Sequence, residues 1–96
     1  MLLARFKVSG HSMEPQIKNG EEVLVTSIIY LFKKPKINDI VAFKEDKKVL
    51  IKRIIRIDGD KYFVAGDNKN DSLDSKTFGL ISKRQILGKI INNAFI

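Results

Sequence analysis

Val49-Leu50-Ile51-Lys52-Arg53-Ile54-Ile55-Arg56-Ile57-Asp58-Gly59-Asp60-Lys61-Tyr62-Phe63-Val64-Ala65 is the stretch that decides the fold. β-Branched and aromatic side chains crowd both of its ends, and these fit a pleated strand better than a helix. Asp58-Gly59 interrupts them where a tight turn needs positive φ, which glycine adopts freely. The pattern predicts a hairpin, with one strand over Val49–Ile57 and its partner over Tyr62–Ala65.

The same reading extends outward on both sides. Short apolar runs at Arg5–Val8, Glu22–Thr26, Ile40–Phe43 and Gln85–Ile91 read as further strands. Asn19-Gly20, Asn38-Asp39 and Glu45-Asp46-Lys47 supply the breaks between them. One helical turn is expected near Ser12, with Pro15 early in it, and another over Ser82–Gln85 capped by Ser82. No repeat, linker or low-complexity segment interrupts the pattern. The chain reads as one all-β domain covering residues 1–96.

Bulk composition narrows the function classes. The sequence has 96 residues, 44% of them hydrophobic and 30% charged, as in an ordinary globular domain. With no cysteine and one histidine, disulfides, thiolate metal sites and zinc centres are not expected, and no cofactor is called for. The net charge of +7 would suit an anionic partner. Yet the lysines and arginines are scattered, with no interleaved aromatic residues for bases to stack on, so nucleic acid is not the expected partner. No apolar run approaches the roughly 20 residues that span a bilayer. The longest is Ile28-Ile29-Tyr30-Leu31-Phe32, and Arg5 follows Met1-Leu2-Leu3-Ala4 too soon for a secretory signal. As written, the chain is expected to be soluble.

Two residues stand out chemically. Ser12 sits in Val8-Ser9-Gly10-His11-Ser12-Met13-Glu14-Pro15, where a turn could expose its hydroxyl and leave the N–H groups of His11 and Ser12 as oxyanion donors. Lys52 lies among apolar neighbours, and burial there disfavours the charged amine, as a general base requires. Strict alternation puts Lys52 on a strand face with Leu50 and Ile54, and Arg53 with Ile51 and Ile55. His11, directly before Ser12, points away from it in an extended chain. Taken singly, each residue reads more simply as ordinary: a polar turn for Ser12, a strand-edge lysine for Lys52. A third element is the loop Gly66-Asp67-Asn68-Lys69-Asn70-Asp71-Ser72-Leu73-Asp74-Ser75-Lys76. It lacks the central glycine, closing glutamate and flanking helices of an EF-hand, so its polar groups are better suited to orienting an amine.

Together these segments resemble the type I signal peptidase family, whose catalytic core is shared with LexA-type self-cleaving repressors. Ser12-Met13-Glu14-Pro15 is similar to the nucleophile box, and Asn19–Val25 and Asn38–Phe43 to the next two. Ile51-Lys52-Arg53 with Gly59-Asp60 resembles the general-base box. Gly66-Asp67-Asn68, Ser72, Asp74-Ser75 and Gly79 resemble the last, and Ile86-Leu87-Gly88 closes the series. The likeness runs in order from about Val8 to Gly88.

The resemblance implies a compact coiled β-barrel or sheet core and a serine endopeptidase that removes an N-terminal signal or leader peptide from a precursor protein. It assigns Ser12 as nucleophile, Lys52 as general base, Ser72 as the residue that orients the amine, and Asp74 as a brace, with Lys76 where the family usually has arginine. Asp67 and Asn68 would shape the loop. Backbone N–H groups, chiefly that of Ser12 and then that of His11, would form the oxyanion hole, because Gly10 stands where some members place a hydroxyl. Gly10 and Met13 would border bound substrate. Larger members insert a cap domain between the base box and the last box; here only Lys61–Ala65 intervene, so no cap is expected. A minimal soluble member, such as the proteases thought to mature nickel superoxide dismutase, would be cytoplasmic. An anchored member would hold its catalytic domain outside the cytoplasm. Ile28, Leu31 and Phe32, flanked by Lys33, Lys34 and Lys36, could touch a membrane surface. Two alternatives stand beside this reading: a LexA-like domain that cleaves its own chain, and a non-catalytic basic β module that binds nucleic acid or lipid.

Overall fold

The hairpin forms where its residues call for it. The computed structural model describes residues 3–68 and 80–91. In it β4 (Lys48–Asp58) and β5 (Lys61–Ala65) pair antiparallel with Asp58 opposite Lys61, and Gly59, at φ +63°, takes the first loop position. Positive φ at the first of two loop residues is the mark of a type II′ turn, whose twist matches that of the strands. The preceding hairpin joins β3 (Ile40–Glu45) to β4, with Glu45 opposite Lys48 and Asp46 at φ +54°.

Around these lie β1 (Leu3–Lys7), β2 (Glu22–Thr26), β6 (Leu80–Ser82) and β7 (Ile86–Ile91). All pair antiparallel in one sheet of order β1-β2-β7-β3-β4-β5-β6. The expected strands are all present, with ends shifted by at most two residues. Two elements escape the sequence pattern. β6 is only three residues long, and Ile29–Phe32 forms a single helical turn, α1, inside the apolar run. The expected turn after Ser82 is a 3₁₀ turn over Lys83–Gln85, where Ser82 N–H donates to Gln85 Oε1 at 3.0 Å. The expected helical turn near Ser12 is a single turn closed by Ile17 N–H to Met13 O at 2.9 Å.

β3 shows why the sheet folds over itself. Val41, Ala42 and Phe43 are all fully buried, but alternate residues point to opposite faces. Val41 and Phe43 join Ile54, Tyr62, Val64 and Ile81 in one cluster. Ala42 joins Val8, Met13, Ile17, Val23, Val25 and Ile90 in the other. A flat sheet could not bury both faces of its middle strand in so short a chain. Curling does, and it carries β1 round towards β4 although three strands separate them in the order.

Candidate active site

That curl makes the cleft. A cavity of about 130 Å³ is lined by Phe6, Lys7 and Val8 from the end of β1, Ser9, Ser12 and Met13 from the turn after it, and Val49 to Lys52 from β4. Ser12 and Lys52, far apart in sequence, thus border one space. Ser12 is half-buried. Lys52 is 5% exposed, opposite Val41 and on the face it shares with Ile54, as alternation predicts. Among the described residues, no buried side-chain nitrogen or oxygen lacks a hydrogen-bond partner, so the polar groups here sit in satisfied surroundings.

The serine turn is held from several directions. Gly10 has φ +102°, a region open to glycine but costly for other residues, and its N–H donates to Asn19 Oδ1 at 2.8 Å. Val8 N–H to Glu21 O and Gly20 N–H to Val8 O, both 2.8 Å, tie the turn to the start of β2. Met13, expected beside substrate, is buried in the core while also bordering the cleft. His11 faces outward and pairs with Glu14, Nδ1 to Oε2, at 2.8 Å. Hydrogen bonds from His11 and the Asn19 N–H hold the Glu14 carboxyl below its ordinary value. The histidine braces the turn from outside, and it does not line the cleft.

The residues after β5 connect the two halves. Arg53 reaches Asp67 through Nε to Oδ1 at 2.8 Å and Nη2 to Oδ2 at 2.7 Å, and its Nη1 donates to Asn38 O at 2.9 Å. The Asp67 bonds and charge raise the guanidinium above its already high value, outweighing partial burial. Asn68, the next residue, donates from its backbone N–H to Ser12 O at 2.8 Å and from Nδ2 to His11 O at 2.9 Å. The Asp67-Asn68 pair, expected only to shape its loop, therefore ties the lysine strand to the serine turn. Ser72 and Asp74 lie outside the described residues, as does Lys76. Among the described residues there is no cluster of histidine, cysteine and carboxylate able to hold a metal ion, and no helix long and apolar enough to cross a membrane.

Fold and cleft together describe a mainly β domain in which Ser12 and Lys52 border one seam of a curled sheet. The chain belongs to the signal peptidase family, peptidase S26, whose model matches residues 1–61 and 56–94. It is 31% identical to signal peptidase I V of Bacillus subtilis (strain 168), over 88% of this chain and 82% of that protein. It is 25% identical to signal peptidase IB of Staphylococcus aureus (strain Mu50 / ATCC 700699), over 93% of this chain and 76% of the relative. It is also 25% identical to thylakoidal processing peptidase 1, chloroplastic, of Arabidopsis thaliana, over 83% of this chain but only 38% of that longer protein.

Proposed function

We propose that the chain is a serine endopeptidase that cleaves an N-terminal signal or leader segment from a precursor protein, with Ser12 as nucleophile and Lys52 as general base. The observation that carries this reading is the shared cleft, where a turn serine and a buried strand lysine border the same space. The family supports the reaction class.

In this mechanism Ser12 Oγ attacks the scissile carbonyl carbon while the neutral Lys52 amine takes the hydroxyl proton. The tetrahedral oxyanion is met by the backbone N–H of Ser12, with that of His11 as second donor. Collapse breaks the C–N bond, and Lys52 returns the proton to the leaving amine. Water, deprotonated by the same amine, then attacks the acyl carbon, the bond to Ser12 Oγ breaks, and the amine returns the proton to Oγ as the acyl product leaves. The same reading gives Ser72 the role of orienting the amine and Asp74, with Lys76, that of bracing the site. A cleft of about 130 Å³ falls short of the ~300 Å³ or more of a pocket for a drug-sized ligand, and suits single side chains of an extended peptide. β1, an edge strand of the sheet, offers such a peptide a backbone to pair with. Of the two residues expected to border substrate, Met13 lines the cleft and Gly10 shapes the turn beside it. Membrane-surface contact through Ile28, Leu31 and Phe32 belongs to the same reading, because all three side chains are exposed beside Lys33, Lys34 and Lys36.

The test is cleavage of a synthetic peptide spanning a signal-peptide junction, by wild type, Ser12→Ala and Lys52→Ala across a pH series. Both variants should lose activity by three or more orders of magnitude. Wild-type activity should climb with pH, as it does for a base that works only when neutral. Undiminished cleavage by both variants would sink the dyad.

A further inference from the structure

The geometry points to Asn68 as a positioning residue that sets the oxyanion donor of Ser12, an inference that rests on the nucleophile assigned above. Its side-chain Nδ2 donates to His11 O at 2.9 Å and its backbone N–H to Ser12 O at 2.8 Å. These carbonyls belong to the two peptide units on either side of the Ser12 Cα. A peptide unit is planar and trans, so holding its C=O holds its N–H in the opposite direction. The His11 carbonyl and the Ser12 N–H share one such unit.

That unit is held doubly. His11 O also accepts the Glu14 N–H at 3.1 Å, so both of its lone pairs are engaged. Turning the unit over would break both bonds and aim a carbonyl oxygen, not a donor, at the developing oxyanion. Among the described residues the Ser12 N–H itself has no partner, as a donor awaiting a ligand should not. The second unit is fixed through Ser12 O. With both neighbours held, φ and ψ of Ser12 are set, and with them the direction of its Cα–Cβ bond. Gly10 at φ +102° makes an external clamp necessary, since glycine leaves the turn many other conformations. His11 O and Ser12 O are bonded from the chain that also anchors Arg53, so donor, nucleophile and lysine strand share one support.

Asn68→Ala and Asn68→Asp test this beside Ser12→Ala, with the junction peptide as substrate and a peptide aldehyde of the same sequence as probe. Ser12 Oγ bonds to the aldehyde carbon and gives its proton to the Lys52 amine. The C=O π bond breaks, and its electron pair goes to the former carbonyl oxygen, which occupies the hole. Removing one oxyanion donor costs about 10²–10³ in kcat, so misaiming it should cost about tenfold to a hundredfold. KM should stay within about twofold, and aldehyde affinity should fall in parallel with kcat/KM. Asn68→Asp keeps the size and the backbone bond but sets an oxygen against His11 O, so its loss should equal or exceed that of Asn68→Ala. Thermal unfolding of each variant fixes an assay temperature at which it is folded. A rise in KM at unchanged kcat, a kcat loss without loss of aldehyde affinity, or wild-type kcat in either variant would overturn the proposal. If Ser12→Ala is inactive while the Asn68 variants keep full kcat, only the clamp is wrong. If Ser12→Ala cleaves normally, the nucleophile assignment fails first.

Discussion

Arg53 grips Asp67 with two parallel bonds, at 2.8 and 2.7 Å, one residue along β4 from Lys52 and one residue before Asn68. Only a guanidinium offers two donors in that fixed fork, and lysine offers a single point. The pair is mostly shielded from water, so removing one partner strands a partly buried charge. Arg53→Lys should therefore lower stability by about 1–2 kcal/mol, and Asp67→Asn by a similar amount. In a double-mutant cycle read by urea unfolding, the coupling should be about 1 kcal/mol or more. Additive single effects would show that the two side chains act independently.

Lys52 should behave in the opposite way. A buried amine contributes little to stability compared with an apolar side chain of the same length, because burial costs its hydration. Lys52→Met should unfold within about 1 kcal/mol of wild type, or above it. Its cleavage of the junction peptide should nonetheless be lost. A variant that is inactive because it is unfolded would show the lysine to be structural.

The contrast between these residues marks what the sequence could carry. The face of Lys52 was legible because strand alternation is local: Leu50, Lys52 and Ile54 share it whatever the rest of the chain does. That this face, and not that of Arg53, is the more buried one is set by the whole sheet. The β4–β5 hairpin was legible because Gly59 sits between two β-branched runs. The clamp was not legible. Asn68 bonds backbone carbonyls 57 and 56 positions away, and a carbonyl has no residue-type signature. The brace expected between Asp74 and Lys76 lies outside the described residues, and the brace observed uses Arg53 and Asp67. α1 was missed because four residues are too few for a helical period to show, and the nearby Tyr30–Asp39 bond that holds it is a tertiary contact. No pattern in the sequence places Phe6 and Lys7 beside Lys52, because curling is a property of the whole sheet.

Tyr30 anchors α1 by donating to Asp39 Oδ2 at 2.7 Å, and Asp39 also receives the Lys36 N–H at 3.0 Å and faces Lys89 Nζ at 3.4 Å. Burial works to raise the Asp39 carboxyl, but the Tyr30 and Lys36 bonds and the Lys89 charge outweigh it and hold the group below its ordinary 3.8. A carboxyl lowered on folding adds stability above its unfolded value, and that stability is lost as pH falls through the folded value. Stability should therefore drop on acidification below about pH 4. Tyr30→Phe should cost about 1–2 kcal/mol at neutral pH and flatten this acid limb, measured by thermal unfolding from pH 2 to 7. Equal slopes in the two proteins would remove Tyr30 from the account.

Leu31 and Phe32 project from α1 at 69% and 83% exposure, so replacing them should leave the fold intact. On vesicles containing anionic lipid, a Leu31→Ser/Phe32→Ser double variant should bind at least about tenfold more weakly, since each side chain buries an apolar payload of about 1.5–3 kcal/mol. Lys33→Gln/Lys34→Gln should weaken binding by about 1 kcal/mol per charge, and only on anionic vesicles. Co-sedimentation with neutral and anionic vesicles separates the two effects. Wild-type binding by the Leu31/Phe32 variant would move any membrane contact elsewhere.

Gly88 carries the most stringent packing prediction. It lies in β7 opposite Ala42, where β7 bulges between Gly88 and Ile86. A Cβ built on it would stand 2.5 Å from Thr26 O and 2.8 Å from Val25 Cγ1. The first neighbour is backbone in β2 and has little room to move, because Thr26 and Val25 are buried. Alanine must therefore push β2 and β7 apart at the strand pair that closes one cluster of the core. Overpacking of this kind costs about 1–3 kcal/mol, and a backbone clash belongs at the upper end. Gly88→Ala should shift the urea midpoint downward by that amount with an unchanged slope. Adding Val25→Ala should recover none of the loss, because it removes only the side-chain clash and opens a cavity of its own. A wild-type midpoint for Gly88→Ala would mean that β2 and β7 do not approach this closely.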